Sequence, residues 1–144
     1  MRLHISGHYW HYTEPRRIMW DGSPVDGLCV ASPRREIRVC RRLRGRQKAE
    51  TQLHELTHAA TFSSSEPWVT AFAASSCHLC YLAGAGLVRR GGDRAAGAAI
   101  IRRVLFHCLR LARTDLDDDE VLQDWADELT RAVGRLGWAA FTAK

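Results

Sequence analysis

Residues 54–58 read His-Glu-Leu-Thr-His, and no other stretch restricts this chain so sharply. On a helix, residues four apart project from one face a turn apart, so His54 and His58 can reach the same metal ion. Glu55 then stands beside that ion, placed to take a proton from water. The flanks suit a helix: residues 48–60 lack Gly and Pro, and Ala49, Leu53, Leu56 and Ala60 recur at helical spacing. This predicts a helix from about Arg46 to Phe62 that stops at Ser63-Ser-Ser65, which also supplies an N-cap for a second helix. The plain alternative is two histidines on a solvated helix surface.

A catalytic zinc takes three protein ligands and keeps a fourth position open for water. His54 and His58 are two, and the third must come from elsewhere. Glu66 lies eight residues beyond His58, where a tight turn and a new helix can return its carboxylate to the metal. Acidic residues also favour the first turn of any helix, so Glu66 has a structural explanation too. Glu120, which opens the fourth predicted helix, is the rival; Glu66 is preferred.

Around the motif the chain divides into a β part at 1–45, metal-site helices at 46–84 and a helical extension at 85–144, all within one domain. Residues 2–13 read as a strand or a hairpin bent at Gly7, with Leu3, Ile5, Tyr9 and His11 on one face. Residues 14–27, with Pro15, Asp21, Gly22, Pro24 and Gly27, read as loops and turns. Leu28–Ala31 and Glu36–Cys40 read as two further strands, split by Ser32-Pro33. The second helix is predicted from Glu66 to Ala83, with a loop at Gly84, Gly86, Gly91 and Gly92. A third is expected over Arg94–Arg113, and a fourth follows the acidic start at Asp117–Glu120 and stops at Gly137. The expected fold class is therefore α+β, a small N-terminal antiparallel sheet packed on the motif helix and three others.

Charge is uneven along the chain, whose formal net charge is +5. Arg34, Arg35, Arg38, Arg41, Arg42, Arg44, Arg46 and Lys48 crowd one stretch, and acidic residues from Asp115 to Glu128 crowd another. The basic block lacks interleaved aromatics, so a solvated or acid-paired face is preferred to a phosphate-binding one. Cys77-His-Leu-Cys80, with His107-Cys108, suggests a second metal site, but cysteine inside a helix is usually a small buried apolar residue. Alternation along one strand would place His4 and His8 on one face and His11 on the other. Five cysteines, an odd count, and no apolar stretch of signal-peptide or membrane-spanning type predict a cytoplasmic protein with reduced thiols.

The pieces Gly7-His-Tyr-Trp10, Arg35-Glu-Ile-Arg-Val39, Leu43-Arg-Gly45, Leu53-His-Glu-Leu-Thr-His-Ala-Ala60 and Ser65-Glu-Pro-Trp-Val69 occur in this order over about residues 2–84. In this the chain resembles a family of short, uncharacterised H-E-x-x-H proteins of bacteria and their phages. The resemblance implies a minimal zincin-like fold and a hydrolase. The family's acidic segment after the motif falls on Glu66, although a second acidic residue common there is replaced by Pro67. Arg135-Leu-Gly-Trp138 resembles the family's helical ending, so residues 85–114 read as an insertion, an arrangement that would favour Glu120.

The expected activity is a zinc-dependent peptidase acting on a protein or peptide, with Glu55 as general base and His54, His58 and Glu66 as ligands. By analogy with zincins, Glu36–Cys40 is expected to be the edge strand that pairs with substrate. Two other classes compete. In one, zinc only braces a non-catalytic binding module, which would have no need of Glu55. In the other, a DNA-associated protease of SprT-like type uses the basic 34–48 segment, and its binding would weaken steeply with salt.

Overall fold

In the computed structural model, residues 1–61, 64–89, 94–112 and 118–136 are described. Residues 2–13 fold as a hairpin: β1 (Arg2–Ile5) and β2 (His8–Thr13) pair antiparallel, with Leu3 opposite Trp10 and His4 opposite Tyr9. Ser6 and Gly7 make the turn with φ of 49° and 76°, a combination glycine adopts without strain. Because cross-strand partners share a face, Leu3 and Ile5 go inward with Trp10 and Tyr12, all four buried. Tyr9 and His11, expected beside Leu3 and Ile5, instead face outward with Arg2 and His4. A two-residue turn reverses the phase of the alternation that a continuous strand would have kept. The same reversal separates His8 from His4, the opposite of the sequence expectation.

Residues read as loops contain a second hairpin, β3 (Ile18–Trp20) and β4 (Ser23–Val25), turned at Asp21-Gly22 with φ of 49° and 79°. Asp-Gly is a strong hairpin signal, here flanked by runs of only three residues. β5 (Gly27–Val30) and β6 (Glu36–Val39) complete a four-stranded sheet in the order β1-β2-β6-β5. The sheet is mixed and not antiparallel throughout, since β6 lies parallel to β2 and antiparallel to β5. β6 is thus internal, and the free edge beside the motif helix is β5. Strand adjacency depends on how the 14–35 excursion folds back, which strand periodicity does not encode.

Four helices follow: α1 (Gly45–Thr61), α2 (Glu66–Arg89), α3 (Arg94–Ala112) and α4 (Asp119–Leu136). α1 lays Ala49, Leu53, Leu56 and Ala60 into the core, each at most 5% exposed, against β5 and β6. α4 buries Leu122, Ala126, Leu129, Ala132 and Val133 against α1, α3 and β1. Asp118 caps it, its Oδ1 accepting from the Glu120 and Val121 amides at 3.0 and 3.4 Å. α3 adds Ile101, Leu105 and Leu109 to the same core. α2 runs through Gly84 and Gly86, where a loop was expected. Glycine costs a helix only about 1 kcal/mol per residue, and α2 is packed along both α1 and α3. Gly91, Gly92, Asp117 and the Gly137 stop lie outside the described residues.

A buried polar network ties β2 to α1. Gln52 Nε2 donates to the Tyr12 hydroxyl, which donates to Glu14, and Lys48 Nζ donates to the other Glu14 oxygen, at 2.9, 2.9 and 2.8 Å. Much of the basic block is occupied in this way: Arg38 pairs with Glu36, Arg46 with Glu50 and Lys48 with Glu14, while Arg44 donates to the Arg41 and Leu43 carbonyls. Among the described residues no helix is long and apolar enough to cross a membrane.

Candidate metal centre

α1 ends at Thr61, about one helical turn beyond His58, and that placement builds the site. Leu53 and Leu56 are fully buried, so the helix cannot rotate, and His54 and His58 are held on its flank, each partly exposed. Thr57 and Thr61 tie their hydroxyls back to the Leu53 and Thr57 carbonyls at 2.7 and 2.8 Å, which keeps them from competing with the histidines. The Ser64 amide then donates to the Thr61 carbonyl, and the Val69 amide to the Ser65 carbonyl. Ser65 is thereby the N-cap of α2, and Glu66 its first helical residue, aimed back at α1.

Glu66 Oε1 lies 2.8 Å from His54 Nε2 and its Oε2 lies 2.8 Å from His58 Nε2, with the two imidazole nitrogens 3.1 Å apart. Among the described residues these three side chains form the one His, Cys, Asp or Glu cluster whose ligand atoms are close enough to hold a metal ion. Glu120 is exposed at the start of α4 and is not part of it. Nor are the cysteines: Cys77 and Cys80 on α2 and Cys108 on α3 are buried free thiols. His54 is held below the usual imidazole range, chiefly by burial, with a further push from His58 against the pull of Glu66. A neutral imidazole is the form that binds metal.

Glu55 is 6% exposed and so counts as buried, whereas His54 and His58 are partly exposed. Burial, and secondarily the negative charge of Glu66, pushes its carboxyl up to about 8. Its side chain lies against Gly27, the first residue of β5. A Cβ at position 27 would sit 2.7 Å from Thr51 Cγ2 and 2.8 Å from Glu55 Cγ, and would collide with Glu55 Oε1 as well. Gly27 was read only as a turn residue; its role comes from the approach of a strand to a helix distant in sequence.

Two clefts meet at Glu55. One, of about 460 Å³, runs past His54, His58 and Glu66 along Gly27, Leu28 and Cys29 to Trp20 on the β3–β4 hairpin. The other, of about 250 Å³, lies between α1 and α2 beside Glu50, Thr51 and Thr70. Trp20, 56% exposed, and Cys29, whose thiol burial and Glu55 push up to about 12, were not singled out by sequence. The centre is therefore open on both sides along the free edge of β5. Comparison with family models, curated proteins and solved structures gives no match for the chain.

Proposed function

We propose that this protein is a zinc-dependent peptidase with a minimal zincin-like architecture. The reading is carried by one observation: His54, His58 and Glu66 converge within 4.8 Å of one another in a cleft where Glu55 is the buried neighbour. Two imidazoles and one carboxylate, with the cleft left as a fourth side, are the donor set of a hydrolytic zinc site. Zinc bound there supplies a Lewis acid that lets water ionise near neutral pH and polarises a carbonyl.

The chain's own residues do the rest. Glu55 lies against Gly27 at the cleft, beside the ligands but not among them. Its raised proton affinity suits it to take a proton from water and return it to a leaving amine. β5 offers unpaired backbone amides and carbonyls on its free edge, the groups that an extended peptide needs to pair. That assignment replaces the expected Glu36–Cys40, because β6 already pairs with β2 on one side and β5 on the other. Retention of Glu55 beside the three ligands favours a catalytic site over a purely bracing one.

The test is zinc content and turnover together. Protein purified without added metal should carry one zinc per chain, and Glu55→Gln should retain it. The same variant should lose at least about 10²-fold in peptide-bond hydrolysis, the usual contribution of a general base. Wild-type turnover by Glu55→Gln, or no zinc in the wild type, would overturn the proposal.

A further inference from the structure

A cleft larger than the two at the candidate metal centre lies away from it, between the opposite edge of the sheet and α4. It encloses about 640 Å³ and is lined by Arg2, His4, Tyr9, Arg131 and Arg135 over a floor of Leu3 and Ala132. The hairpin turn builds it, since the outward set Arg2, His4, Tyr9 and His11 is the face that the two-residue turn at Ser6-Gly7 reverses. Tyr9 is 62% exposed, with the Arg2 guanidinium 4.6 Å from its ring centroid and the His4 ring edge-on at 5.0 Å. An exposed aromatic ring flanked by a guanidinium is a stacking platform.

The charges of this cleft differ from those of the 34–48 block. Among the described residues neither Arg2 nor Arg135 meets a carboxylate; Arg135 donates instead to the Arg2 carbonyl at 3.4 Å. Arg131 is less free, since it lies 3.2 Å from Glu128, but that carboxylate also accepts from the Ser6 amide. Among the described residues no carboxylate lines the cleft. Like charges left close together without a counter-ion favour binding of an anion. The open shape and the row of cations suit a chain of phosphates, and the ring suits a base.

We infer that the β1–α4 cleft binds single-stranded nucleic acid, with a base stacked on Tyr9 and phosphates held by Arg2 and Arg135. The inference is independent of the metal centre and does not use the 34–48 segment. It is tested by fluorescence anisotropy of a labelled dT 12-mer with the full chain, with and without chelator. Binding should survive chelation and show a slope of log K on log salt of about −2, as expected for three phosphate contacts on a single strand, with Arg131 as the third cation beside Arg2 and Arg135. Tyr9→Ala should weaken it about tenfold, whereas Tyr9→Phe, which keeps the ring, should not. Arg2→Ala with Arg135→Ala should weaken binding and reduce the slope by about 1.4. Arg34→Ala with Arg35→Ala should leave both unchanged, and circular dichroism should show all variants folded. The inference is overturned by absence of binding at low salt, by binding indifferent to Arg2, Arg135 and Tyr9, or by dependence on Arg34 and Arg35 instead. Equal competition by poly-glutamate would also overturn it, assigning the cleft to acidic peptides.

Discussion

Glu66 and Gly27 show how the candidate centre depends on single side chains. The two oxygens of Glu66 each face one histidine, whereas Glu120 is exposed in the first turn of α4 and outside the cluster. Glu66→Ala should therefore release zinc to a moderate chelator, and Glu120→Ala should not. Loss of a ligand should exceed the 10- to 100-fold, roughly, that outer-shell changes cost in affinity. Release from the Glu120 variant alone, followed with a zinc-sensitive dye, would move the site to α4. Gly27→Ala tests a different link. Its methyl group would displace Glu55 and crowd Thr51, the side chains nearest to it. Zinc should stay bound while turnover falls, by about as much as in Glu55→Gln. Equal activity in Gly27→Ala would show that Glu55 does not need its place against β5.

At the scale of elements, the polar network at Tyr12, Glu14, Lys48 and Gln52 joins the end of β2 to the first half of α1, upstream of the motif. Burial pulls the Glu14 carboxyl upward, but hydrogen bonds from Lys48 and Tyr12 and the charges of Lys48 and Arg41 outweigh it, so its pKa lies below the ordinary value. A carboxyl lowered on folding contributes stability that is complete above its unfolded pKa and lost as pH falls through the folded one. Glu14→Gln should thus lower stability at neutral pH and flatten the acid limb of the stability curve, measured by urea unfolding across that range. A variant with the wild-type acid limb would show that the pair does not hold β2 to α1. The elements were unequally legible. α1 and α4 were readable because one apolar stripe at helical period meets one core face. The β3–β4 hairpin was not, because three-residue strands carry too little alternation and the Asp21-Gly22 turn was the one local sign.

For the whole molecule, the candidate metal centre bridges α1 and α2, two elements that both contribute to the common core. A ligand that binds only the folded chain stabilises it by about 4 kcal/mol at a thousandfold excess over Kd. For a chain of this length that corresponds to a rise in Tm of roughly 10 °C. Zinc added to chelator-treated protein should produce such a rise, and His54→Ala with His58→Ala should abolish it, as followed by differential scanning calorimetry. An unchanged Tm on removing zinc from the wild type would separate the site from the fold's stability.

What the sequence determined by itself was local: the motif helix, the two histidines on its flank, Glu55 between them and the α+β class. Each follows from side-chain spacing within one helical or strand period, which neighbouring residues define without help. Glu66 was legible as a candidate because only a short turn separates it from His58. The tertiary structure alone decided that Glu66 and not Glu120 faces the histidines, that β5 and not β6 is the free edge, and that Gly27 makes room for Glu55. It also decided that Tyr9 faces outward beside Arg2. Those facts depend on which distant segments touch, and contacts between segments follow from burying one shared core, a property that no window of the sequence contains.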